Sequence, residues 1–123
     1  MASVNPYTVI SAVFCFFPGD EFENDRERIH SAFFTIRERH FDLLKDLSFR
    51  QNLLFPRSRL LDEIMGSLQP EFLGKNNPGL ESYKIKKERL IKLWNDELKS
   101  ALADKEPEIK KIAEELCQSL RAQ

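Results

Sequence analysis

The chain reads as mostly α-helical with one small β-hairpin, an α+β fold. Three observations predict this. Apolar residues recur at helical spacing through most of the 123 residues. The period changes to two only around residues 72–85. The composition, 41% hydrophobic and 32% charged, is that of an ordinary globular chain with apolar surface for one modest core.

The elements follow in order. Asn5-Pro6 is a helix start, an Asn cap with Pro at the first helical position. Tyr7 to Phe17 is apolar on nearly every side. Its β-branched residues leave a strand open, but its length and its start favour a buried helix ended by Pro18-Gly19. Gly19 to Phe22 leads into a second helix, with Asn24 and Glu27 spaced as a capping box. Asp20, Glu21, Glu23, Asp25 and Glu27 crowd this entry. They suit the positive end of a helix dipole, and an acidic docking patch or cation site is the sharper alternative. Ile29, Phe33, Ile36, His40, Leu43 or Leu44, and Leu47 keep one stripe for about five turns, broadened by Phe34 and Phe41, with a kink expected near His40-Phe41. Ser48 to Phe55 is open between a helix extension, a short extra helix and a crossover, with Phe49, Leu53, Leu54 and Phe55 expected partly buried in each.

The stretch from Phe55 to Ile85 organises the rest. Leu60, Leu61, Ile64, Met65 and Leu68 make one apolar stripe, with the helix starting at Pro56 or capped by Ser58. Gln69-Pro70 stops it. Phe72 and Leu73 read as a short strand, residues 74–79 as turn chemistry, and Leu80 to Ile85 as a second strand with Tyr83 and Ile85 inward. Helix followed by hairpin, with Tyr83-Lys84-Ile85 running straight into the charged Lys86-Lys87-Glu88, resembles the winged-helix superfamily. The nearest likeness is to small prokaryotic winged-helix proteins. It covers the first two-thirds of the chain, and the long second helix departs from the compact pattern. The resemblance implies a winged-helix-like domain over residues 1–85. It also implies that the helix before the hairpin is the recognition helix of a DNA-binding, transcription-regulator-like protein.

Beyond the hairpin, Leu90, Leu93 or Trp94, Leu98, and Ala101 or Leu102 mark a long amphipathic helix, broken at Asp104 to Pro107. Ile109, Ile112, Ala113, Leu116 and Leu120 give the last helix one apolar face. Residues 86–123 form a C-terminal helical hairpin that closes on the main core or on a second copy, and a homodimer through it is the expectation.

Charge and motif content narrow the function. The net charge is −1, yet residues 50–92 carry nine Lys/Arg against five Asp/Glu. If the resemblance holds, Arg57, Ser58 and Arg59 face bases and phosphates, Lys75, Asn76 and Asn77 form the wing tip, and Lys84 adds charge beside it. Asp62 and Glu63 on the same helix would oppose phosphate. Glu27 and His30 have the E-x-x-H spacing of carboxylate metal sites, but only one such pair exists. His30 and His40 lie roughly 80° apart on a helix, and a surface or boundary histidine is the plainer reading. No motif for a phosphate-cradling loop, nucleophile elbow or zinc helix occurs. No catalytic residue, metal ligand or cofactor is assigned, and a non-enzymatic protein is expected. Cys15 and Cys117 sit in apolar contexts without metal or redox spacing. No signal-peptide pattern or bilayer-length apolar run is present, so a soluble, cytoplasmic protein is expected. The alternative to DNA binding is a protein–protein interaction module, suited by the near-zero net charge and the acidic N-terminal half.

Overall fold

The computed structural model describes residues 5–23, 25–50, 54–69, 71–75 and 82–121. It is mostly helical, with one small antiparallel sheet, as the sequence predicts. Helix α1 is Pro6–Cys15, strand β1 Glu21–Glu23, α2 Arg26–Arg39, the short α3 Phe41–Leu44 and α4 Arg59–Ser67. Strands β2 (Leu73–Lys75) and β3 (Ser82–Ile85) follow, then α5 (Lys87–Leu93), a π-turn at Trp94–Leu98, α6 (Lys99–Leu102), a 3₁₀ turn at Ala103–Lys105 and α7 (Glu106–Arg121).

Helix α1 is the axis of the molecule. Asn5 Oδ1 accepts from the Tyr7 N–H at 2.8 Å, and Pro6 opens the first turn. Every residue from Val9 to Cys15 is buried. A helix apolar all round needs cover on all sides, and α3, α5, the π-turn and α7 supply it.

The sheet holds one strand more than the sequence suggested. Its order is β1-β3-β2, with Glu21 opposite Lys84, Phe22 opposite Tyr83 and Glu23 opposite Ser82. The expected lead into the helix at residues 19–22 therefore runs into a strand, Glu21–Glu23. Its reason is Phe22, which packs between Phe14 and Tyr83 with ring centroids at 5.5 and 5.3 Å. Glu21 and Glu23 are the outward residues of that strand. The cap of α2 is Asp25, whose carboxylate accepts from the Arg28 N–H at 3.1 Å. The expected box at Asn24 lies outside the described residues.

The hairpin forms where predicted. Leu73 pairs with Ile85 and Lys75 with Tyr83, Tyr83 and Ile85 are buried, and Lys84 is exposed. Phe72 stays outside the strand and half-buried. Residues 76–81, including most of the expected turn and Leu80, lie outside the described residues. Of the two starts open for α4, the structure takes the later, at Ser58.

Two helices break the expected continuity. Helix α2 ends at His40, with φ −127° and ψ 49°, and restarts as α3, so the anticipated kink is a full break. The stripe Leu90, Trp94, Leu98, Leu102 is buried at strict four-residue spacing. On a regular α-helix those ends would drift apart by about 120°. The π-turn underwinds the chain between them and holds the stripe on one face.

Leu54 corrects another expectation, being 100% exposed, while Phe49 and Phe55 are half-buried. Leu53 lies outside the described residues. Ile109, Ile112, Ala113, Leu116 and Leu120 of α7 are buried, and α7 packs on α1 and α2. The Arg28 guanidinium donates to the Leu120 carbonyl at 3.1 Å and ties the end of α7 to α2. Trp94 and Leu116 are buried within one chain, so the surplus apolar face that motivated a homodimer is covered intramolecularly. Among the described residues no helix is long and apolar enough to cross a membrane.

Candidate functional site

The start of α4 is a polar region built from several interlocking side chains. Ser58 is fully buried, and its Oγ accepts from the Leu61 N–H at 3.2 Å, capping the helix. Its own N–H donates to His30 Nδ1 at 3.0 Å. Ser58 is thus committed to building the helix, and the phosphate contact expected of its hydroxyl is not on offer.

His30 corrects the surface reading, since its side chain is 1% exposed. Because Nδ1 accepts from Ser58, the ring proton sits on Nε2, which donates to Asp62 Oδ1 at 2.8 Å. Burial pushes the His30 pKa down, against the pull of Asp62, and Arg26 and Arg57 push the same way as burial. The ring is neutral and has one tautomer. The Arg26 guanidinium grips Asp62 through two nitrogens, Nε at 3.1 Å and Nη2. Burial alone would raise the Asp62 carboxyl, but the hydrogen bonds from Arg26 and His30 hold it below its ordinary value.

Ser58, His30 and Asp62 therefore meet without forming a nucleophile triad. The imidazole nitrogen that would take a proton faces a backbone N–H, and the hydroxyl is buried and engaged. Glu27, the other half of the E-x-x-H pair, is exposed one turn away from the buried His30. Arg26, Ile29, His30, Asp62, Met65, Gly66, Gln69 and Tyr83 line a cleft of about 160 Å³ between α2, α4 and β3. That volume falls below the range of roughly 300–1,000 Å³ typical of small-molecule sites.

Arg57 and Arg50 form an isolated antiparallel bridge, Arg50 N–H to Arg57 O at 2.8 Å and Arg57 N–H to Arg50 O at 3.2 Å. This joins the two sides of the ambiguous stretch, whose residues 51–53 lie outside the described residues, and adds a third arginine to the expected pair. Arg57 is half-buried, while Arg50 and Arg59 are exposed. Asp62 is neutralised by Arg26, and Glu63 is exposed. On the sheet, Lys84 stands between Glu21 and Gly74. The Lys75 backbone lies in β2, and Asn76 and Asn77 lie outside the described residues.

A second polar cluster sits at the other end of α2. His40 Nδ1 contacts Glu108 Oε2 at 3.0 Å and Nε2 contacts Glu115 Oε2 at 2.9 Å, while Arg39 donates to Glu115 Oε1 at 2.9 Å. Two carboxylates facing two ring nitrogens are both satisfied only by imidazolium. Burial tends to raise the Glu115 carboxyl, but His40 and Arg39 hold it below its usual value. Among the described residues no group of three His, Cys, Asp or Glu is disposed to hold a metal ion. The Cys15 thiol, donating to the Leu90 carbonyl at 3.2 Å, is pushed by burial up to about 12, far from reactive.

Sequence reasoning located Arg57 and Arg59 but missed Arg26, Arg50 and the role of His30. The E-x-x-H spacing did flag His30, and Arg50 lay in the stretch without clear periodicity. Compared with protein-family models, curated proteins and solved structures, the chain matches none.

Proposed function

We propose that this chain is a winged-helix-like, DNA-binding module of the transcription-regulator type, with α4 and the β2–β3 hairpin facing the duplex. One observation carries the reading: Arg50, Arg57 and Arg59 gather at the start of the helix that runs directly into the hairpin. Arginine suits phosphate and guanine. The pairing of Asp62 with Arg26 removes one of the two acids that would oppose phosphate on α4. Two buried free cysteines suit a reducing, cytoplasmic setting. No dimer through residues 86–123 is invoked, because α7 spends its apolar face on α1 and α2.

The exposed acids Asp20, Glu21 and Glu23 beside the hairpin favour a second reading, a non-enzymatic module for a protein partner. Binding of the full chain to generic duplex DNA, titrated against salt, separates the two. DNA binding should weaken steeply as salt rises, and Arg57→Ala with Arg59→Ala should flatten the slope by about 2. No binding at low salt ends the DNA reading and leaves the protein-partner one.

A further inference from the structure

We propose that Arg50 and Arg57 form a fork that holds one phosphate group. The bridge between them is a hydrogen-bonded antiparallel pair, since each N–H donates to the other's carbonyl. In that geometry the two Cα atoms are about 5.5 Å apart and both side chains leave the same side. Like charges placed directly opposite repel. Such pairs are ordinarily relieved by an acid, yet among the described residues neither guanidinium has an ion pair or a side-chain hydrogen bond. The first acid along α4, Asp62, is already held by Arg26 and His30. Arg57 also stands close enough to help hold His30 neutral, so the positive field reaches into the core wall.

A tetrahedral dianion or a phosphodiester supplies what is missing. It accepts from two guanidinium forks at once and cancels their repulsion, and arginine's planar donor set fits its oxygens. The bridge rests on main-chain bonds, so the two side chains start from fixed neighbouring points of the backbone before any ligand arrives. One residue on, Ser58 ends the approach by capping α4, and Arg59 projects into solvent beside it. With DNA as the ligand, the inference deepens the DNA-binding reading. The fork takes a single backbone phosphate and fixes how α4 is set against the strand, and Arg59 makes a separate contact.

The test uses the full chain and three variants, Arg50→Gln, Arg57→Gln and the double. All keep the main-chain bridge. The first probe is inorganic phosphate, compared with sodium chloride at equal ionic strength. Wild type should gain about 5 °C in Tm at ten times the dissociation constant. Each variant should lose that gain, and Arg50→Gln without phosphate should melt no lower than wild type, because a repulsion has been removed. The second probe is duplex DNA. Both arginines serve one phosphate, so each single variant and the double should all lower the salt slope by about 1. Independent contacts would lower it by about 2 in the double, and that overturns the fork. A phosphate gain equal in wild type and Arg50→Gln overturns it as well. A phosphate gain lost in Arg50→Gln, with no DNA binding by wild type, upholds the fork for free or monoester phosphate and ends the DNA reading instead.

Discussion

Helix α2 carries a histidine near each end, and the two are used in opposite ways. His30 is sealed in, neutral, and built into a junction with α4 through one acceptor and one donor bond. His40 sits at the helix break between two carboxylates of α7 and satisfies both only as a cation. The difference lies in what surrounds the ring. A backbone N–H aimed at Nδ1 forbids a proton there, whereas a carboxylate aimed at the same atom asks for one. A residue type at a given helical position therefore says little about its charge until the partner elements are in place.

The largest effect expected from breaking this contrast is at His30. His30→Leu removes the bond to Asp62 and leaves the buried Ser58 N–H without an acceptor, and should cost roughly 2–4 kcal/mol in chemical denaturation. His40→Leu should cost less, about 1–2 kcal/mol, because Glu108 and Glu115 reach water. Equal losses would mean the two junctions are alike after all. His30→Asn sharpens the point. Its amide oxygen falls near the Nδ1 position and can accept from Ser58, so it should recover about half the loss, whereas His30→Gln should not.

Acidification should separate the two ends further. The folded-state pKa of His30 lies below the unfolded value of about 6.5. The unfolded chain thus takes up its proton first, and stability present above about pH 6.5 is lost as pH falls through the folded value. Glu115 is depressed as well, but from the carboxylate range, so its share is lost only in more acidic solution. Melting curves between pH 7.5 and 5.5 should show a decline in wild type that flattens in His30→Asn and persists in Glu115→Gln. The smallest effect concerns the surface pair at the second junction. Arg39 is mostly exposed, and Arg39→Ala should change stability by less than about 1 kcal/mol, shrinking further in high salt.

How much of this was legible in the sequence follows from where each determinant lies. The cap of α1, the β2–β3 hairpin and the apolar face of α7 are written locally, in Asn5-Pro6, in the alternation around Tyr83 and in the spacing from Ile109 to Leu120. Strand β1 offers a single buried residue, Phe22, and one alternation is too short to distinguish from a helix entry. The break at His40 depends on Glu108 and Glu115, 68 and 75 residues away. Arg50 becomes part of the candidate site only through a bridge across a stretch with no periodicity of its own. At the site, the arginines around Ser58 were visible as charge, but the burial of Ser58 was not. A serine cap and a serine that meets phosphate look the same until His30 arrives from another helix.

The π-turn at Trp94–Leu98 has a consequence for chain length. Asn95, Asp96 and Glu97 are all exposed, and side-chain replacements there touch nothing in the core. Removing one of them should be tolerated as well. The step from Trp94 to Leu98 would shrink from four residues to three, and Leu90 to Leu102 would span eleven residues, which a regular α-helix closes to within about 20°. The π-turn amounts to one residue inserted into an α-helix, so its loss should leave Leu102 in its buried seat and α7 on α1 and α2. At this place the helix carries one residue more than its register needs.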